Sequence, residues 1–183
     1  MKFIKGGCVL VALLSVLSVL KVIQGNAEQQ RQLPRSFGFL TLGMSAKAFQ
    51  KITGTTPEFC PHCADDELFA DFDANGYPGF FPDYKRWVSC FFYKDKLYRI
   101  EKVPEVRQIE EAKKKYIEAF GPYTKLENWE NGISWLHWEN KTTVLSIAYE
   151  RKTGKADLIQ YIDKLLRDEL ERREKKNPTR PKH

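Results

Sequence analysis

Cys60-Pro61-His62-Cys63 is the stretch whose residue types and spacing come nearest to chemistry. Two thiols held two residues apart can exchange with a disulfide when one is a stabilised thiolate at a helix N-terminus. The surroundings do not supply that setting. Lys51 to Phe59 reads as a helix end, a Gly and a Pro-bearing turn rather than the strand that precedes a thioredoxin-like site, and Asp65, Asp66 and Glu67 follow at once. Neighbouring negative charge disfavours a thiolate. Redox work by Cys60, His62 and Cys63 is therefore the alternative expectation. The leading one is a disulfide from Cys60 or Cys63 to Cys90, closing about 30 residues and stabilising the fold by roughly 3–4 kcal/mol. One cysteine is then left over. Zinc at Cys60, Cys63, Cys90 and His62 or His137 is a weaker alternative, because only one paired ligand spacing is present. A c-type haem is excluded, since Ala64 follows Cys63. No cofactor is expected.

Other constellations are thinner. Asp71-Phe72-Asp73-Ala74-Asn75-Gly76 opens like a calcium loop, but Pro82 stands where the bidentate Glu belongs. A turn in which Asp71, Asp73 and Asn75 cap their own backbone is the preferred reading. His137 lies between Trp135 and Trp138 with Glu139 close by, and three histidines do not make an acid–base pair. No G-x-S-x-G signature occurs. Trp129, Trp135, Trp138 and Tyr149 are a candidate aromatic face for a protein or glycan, set against the general burial of strand aromatics in cores.

The elements that would position these residues centre on Arg86 to Ile100. Its aromatic and β-branched content predicts strands over Trp87–Tyr93 and Lys96–Ile100, joined by a tight Lys94-Asp95 turn. Alternation puts Val88, Cys90 and Phe92 on one face and Trp87, Ser89, Phe91 and Tyr93 on the other. Upstream, Phe37 to Leu42 suits a short strand, Ser45 an N-cap, and Ala46, Phe49 and Ile52 a helix closed by Gly54. Residues 55–85 read as a long loop with four prolines. Downstream, Val106, Ile109, Tyr116, Ile117 and Phe120 mark an amphipathic helix stopped by Gly121-Pro122. Strands follow at Ile133–Trp138, Thr143–Tyr149 and Ala156–Ile162, the last two turning at Arg151-Lys152-Thr153-Gly154. Lys164 to Lys176 is helical, docked only by Leu165, Leu166 and Leu170.

Charge and composition set the class. The net charge is +6, but the first 27 residues hold three lysines and no acid, and residues 164–183 hold eight Lys/Arg against four Asp/Glu. The body between carries −1, so no nucleic-acid face is indicated. Lys2 and Lys5, the apolar Cys8 to Leu20 and Gly25-Asn26-Ala27 have the order of a bacterial secretory signal peptide. The apolar run is shorter than the ~20 residues of a spanning helix, so no stable span is expected after cleavage, with an uncleaved anchor as the alternative. Export would place the chain in the periplasm or outside the cell, where disulfides persist. Residues 1–27 are thus the signal peptide, 28–36 a flexible lead-in, 37–163 one α+β domain, and 164–183 a charged helix and basic tail. Lys175, Lys176, Arg180 and Lys182 of that tail could touch acidic surfaces weakly.

The domain divides into halves of about 37–104 and 105–163, each running helix, Gly stop, irregular stretch and β-hairpin. Two such units side by side would give one continuous antiparallel sheet. Leu42-Gly43-Met44-Ser45 leading a short helix resembles the G-M-[ST] opening of the BamE (SmpA/OmlA) group of small bacterial envelope proteins. Phe120-Gly121-Pro122, Trp135 to Trp138, Leu145 to Tyr149, and Gly154 with Leu158 resemble the same group's Gly-x-Pro, aromatic strand and Gly-turned hairpin. That fold is similar to the tandem helix-and-sheet modules of the β-lactamase inhibitor protein. The chain departs from the group in having no lipobox cysteine and three extra mature cysteines. The Cys60–Cys63 tetrad separately resembles that of exported disulfide oxidases of the DsbA type. The first resemblance implies a non-enzymatic role, binding or assembling a protein partner in the cell envelope.

Overall fold

The computed structural model describes residues 32–60, 67–74 and 87–176. The chain divides into two units, Met1–Arg31 and Gln32–His183; every described residue belongs to the second, and the expected signal peptide lies outside them. Among the described residues ten strands and three helices follow in order. A small hairpin, β1 (Ser36–Phe37) and β2 (Leu40–Thr41), precedes α1 (Ala46–Thr53). Then come β3 (Glu58–Phe59), β4 (Glu67–Asp73), β5 (Trp87–Tyr93) and β6 (Lys96–Lys102). The second half comprises α2 (Ile109–Phe120), β7 (Lys125–Asn128), β8 (Ile133–Glu139), β9 (Thr143–Glu150) and β10 (Lys155–Asp163). The last element is α3 (Lys164–Lys176).

Strands β3 to β10 form one eight-stranded antiparallel sheet in the order β3-β4-β5-β6-β10-β9-β8-β7. The class is α+β, as the sequence predicts. Each half is a helix followed by a four-stranded meander, and the final strands β6 and β10 pair across the seam. The halves agree in finer detail. The residue capping each helix bridges to the first residue of its half's last strand: Ser45 to Lys96, and Gln108 to Lys155. Each last strand also bulges at its third residue, Tyr98 in β6 and Asp157 in β10. A bulge re-aims a strand and fixes its register, so both meanders curve at the same place.

Local chemistry explains the elements. Ser45 Oγ accepts from the Ala48 N–H at 3.1 Å, and Gly54 ends α1 at φ 70°. Phe49, not Ile52, is the helix's apolar anchor; Ile52 is exposed. Lys94 and Asp95 both have positive φ, as a two-residue hairpin turn requires. Asp163 caps α3, its Oδ1 accepting from the Leu165 and Leu166 N–H groups at 3.1 and 3.2 Å.

One sheet face carries the core. Phe72, Val88, Cys90, Phe92, Leu97 and Ile100 join Leu136, Trp138, Leu145, Ile147 and Ile159 in one cluster, with Phe49 of α1 and Ile109 and Ala112 of α2 packed into it. On the other face a smaller cluster of Phe91, Tyr93, Tyr98, Val144 and Ile162 lies beneath Leu170 of α3.

Three expectations are corrected. Residues 55–85, which read as a long loop, contain β3 and β4: in Glu67–Asp73, Leu68, Ala70 and Phe72 alternate toward the core. The edge strand β7 had no apolar period to announce it. The lead-in is anchored from Leu33 onward, because Leu33 is buried in the core and Arg35 pairs with Asp163 while donating to Thr142 O at 3.0 Å.

Candidate functional site

The second face of the sheet carries a row of polar side chains that the sequence reading did not foresee. Register places His137 opposite Ser146, Ser146 opposite Gln160, Gln160 opposite Glu101, Glu101 opposite Ser89, and Ser89 opposite Asp71. Because strand residues alternate between faces, six residues in one register line point the same way. They bond to one another in pairs. His137 Nδ1 and Ser146 Oγ are 2.8 Å apart, Gln160 Nε2 donates to Glu101 Oε1 at 2.8 Å, and Ser89 Oγ donates to Asp71 Oδ1 at 2.5 Å. The row is symmetric about the β6–β10 seam. Ser146 and Ser89 are equivalent, each bonded to the next strand outward, and Gln160 meets its equivalent Glu101 at the centre.

Two different borders flank the row. On one side α3 covers Val144, Ile162 and Phe91. On the other, Trp135 stands opposite Ala148 and Glu127. The Trp135 ring stacks on His137 with centroids 6.2 Å apart and packs against the half-exposed Trp129 at 5.6 Å. Arg151 holds this corner, donating to Trp129 O at 2.9 Å. Trp135 Nε1 and His137 Nε2 are buried without a hydrogen-bond partner.

His137, Ser146 and Glu127 have the order of a base, a hydroxyl and a carboxylate, with His137 Nε2 lying 3.6 Å from Glu127 Oε2. Burial pushes the His137 pKa down, against the pull of Glu127. Bonds from Lys125 hold Glu127 below the usual carboxylate range. A neutral imidazole bonded to a hydroxyl is the arrangement of a general base. The hydroxyl, however, is shut in, Ser146 being only 1 % exposed. Its equivalent Ser89 makes the same bond to Asp71, where no imidazole is present. The pairing thus follows the repeat of the sheet.

The remaining expected site residues separate. Cys90 is a free, fully buried thiol on the core face between Val88 and Phe92, so it staples nothing. Burial, then Asp71, pushes its pKa far up, and an un-ionised core thiol is inert. Cys60 is buried, and with Cys90 free the two are not joined. Cys63 and His62 lie outside the described residues. Cys90 and His137 occupy opposite faces, so a zinc set holding both cannot converge; the set with His62 and Cys63 lies outside the described residues, among which no three metal-ligating side chains cluster. Asp71 and Asp73 are in β4, paired with Ser89 and Trp87, an extended course that a calcium loop cannot follow; Asn75 is outside the described residues. The aromatic face also divides. Trp138 is in the core, its Nε1 donating to Gly121 O at 2.8 Å, and Tyr149 packs against the core. Only Trp129 and Trp135 share the second face. The odd spacing of Trp135 and Trp138 on one strand already contained that division.

No family model matches the chain, and no curated protein does. Among solved structures the chain is similar to an extracellular protein containing a SCP domain from Bacillus anthracis, at TM-score 0.46 and 12% identity. The match covers 74% of this chain and 49% of that one, so the chain spans about half that protein's length. Among the described residues no helix is long and apolar enough to cross a membrane.

Proposed function

We propose that the chain is an exported, non-catalytic module that binds a protein partner in the cell envelope through the second face of its sheet. The observation that carries this reading is the polar row beside α3, ending at Trp129 and Trp135. Half-buried donors and acceptors in fixed register, with aromatic side chains at one end, suit recognition of another protein. The shut-in Ser146 supports the non-catalytic part, and the resemblance to the BamE group points the same way. A photo-crosslinking residue at Gln160 should join the chain to a discrete partner in intact cells, whereas one at Ile52 on α1 should not. Equal capture from both positions would refute a second-face site.

A thiol–disulfide function is the second reading, favoured by one observation. Cys90 is a free thiol on the core face, so the expected Cys60–Cys90 staple is not made and the Cys60-Pro61-His62-Cys63 alternative has no competitor there. Mapping the mature chain without reduction tests it: a Cys60–Cys63 bond that equilibrates with glutathione supports redox work, and one that resists reduction supports a staple.

A further inference from the structure

Strand β7 closes one end of the sheet, and no described strand pairs with its outer edge. The direction of its backbone groups is fixed. Lys125 stands opposite His137 and Glu127 opposite Trp135, and the Trp129 N–H donates to Ile133 O at 2.9 Å in the same register. Hydrogen-bonded pairs alternate along an antiparallel ladder. Lys125, Glu127 and Trp129 therefore turn their N–H and C=O groups toward β8, and Leu126 and Asn128 turn theirs outward. The Leu126 side chain is on the core-side face yet 44% exposed. Lys125 and Glu127 project from the other face and form an ion pair.

We propose that β7 pairs antiparallel with β7 of a second copy, about a twofold axis through Leu126. Two independent features select that axis. The first is backbone direction: Leu126 has outward N–H and C=O groups to exchange with itself, whereas an axis through Lys125 or Glu127 would meet groups already given to β8. The second is charge. The Leu126 axis sets Lys125 opposite Glu127 twice, and the neighbouring axes set Lys125 opposite Lys125 or Glu127 opposite Glu127. Charges on an edge strand normally keep other strands away; opposite signs two residues apart admit their own copy in one register. The pairing covers Leu126 with its equivalent and joins the two eight-stranded sheets into one.

Sedimentation and light scattering of the full chain over a concentration series test this. The native chain should dimerise reversibly. Lys125→Glu and Glu127→Lys should each weaken the dimer by about tenfold, and the double exchange, which restores opposite signs about the same axis, should recover it. Leu126→Pro removes only an outward N–H, so it should abolish the dimer while the far-UV spectrum and melting temperature stay near native. A chain monomeric at every concentration would overturn the proposal, as would a dimer indifferent to both charge reversals and to Leu126→Pro. These readouts do not depend on crosslinking at Gln160, so the edge and the second face can fail separately.

Discussion

The two halves of the sheet follow the same course and fill it differently. In the first, the helix provides the central side chain: Phe49 of α1 sits edge-on to Phe72 and Phe92 with centroids 5.6 and 5.2 Å away. In the second, the sheet provides it: Trp138 of β8 rises toward Tyr116 and Tyr123, 5.7 and 6.2 Å away, under α2. The first half caps its helix with Ser45, whereas Gln108 of the second makes no side-chain cap bond. On the second face, Phe91 and Tyr93 of the first half lie in the cluster under α3, while Trp135 and Trp129 of the second lie beyond it. A repeated backbone path thus fixes registers, bulges and the polar row, and leaves each half free to choose which layer makes the core and which surface stays open.

The largest test of that comparison is truncation of the two central side chains. Phe49→Ala and Trp138→Ala should each cost about 3–5 kcal/mol, since both are fully buried and leave large cavities. Both variants should lose hydrogen-exchange protection across all eight strands, because one cluster spans the seam. Protection lost only in the mutated half would make the halves separate folding units.

Cys90 gives the next effect. It stands opposite Ile100 on β6 as Ile147 stands opposite Ile159 on β10, so the halves place a thiol and an isoleucine at equivalent core positions. Cys90→Val should shift stability by less than about 1.5 kcal/mol, as a similar-sized apolar exchange does. Cys90→Ser buries a hydroxyl and should cost about 1–3 kcal/mol in denaturant unfolding. A Val variant as damaged as the Ser variant would break the equivalence.

How much of this was legible in the sequence depends on what each stretch has to bury. The hairpins of β5–β6 and β9–β10 were readable because their strands alternate cleanly and their turns hold Lys94-Asp95 and Gly154. Strand β4 was hidden by the prolines and glycines around it, although Leu68, Ala70 and Phe72 keep the two-residue period. Strand β7 buries little, so no pattern marks it. The alternation that sets Cys90 beside Val88 and Phe92 is enough to put it in the core, where a staple to the Cys60 loop is out of reach. The polar row needed pairing between residues up to 59 positions apart in sequence, Glu101 with Gln160, which no local pattern contains.

The helix caps should respond in opposite directions. Ser45→Ala removes the bond to the Ala48 N–H and should cost about 1 kcal/mol, and Gln108→Ser should add up to about as much if Ser fits the extended conformation Gln108 adopts. Denaturant midpoints of the two variants would show whether the second half lacks its cap through composition or through geometry; no gain in the second would mean geometry.

The smallest effect separates the outer ends of the polar row, where His137 in one half corresponds to Asp71 in the other. Burial holds the folded His137 pKa below its ordinary 6.5, even with Glu127 beside it, while Lys125 and Arg167 push in the same direction as burial. The unfolded chain therefore binds more protons than the folded one as pH falls through the region below 6.5, and stability declines there until the folded imidazole also titrates. Replacing it by His137→Gln keeps a polar side chain that can bond Ser146 and removes the titration. The urea midpoint of the native chain should fall between pH 7.5 and 5.5 by more than that of the variant. Equal slopes would mean that His137 is no more buried than Asp71, and the symmetry of the row would then extend to its exposed ends.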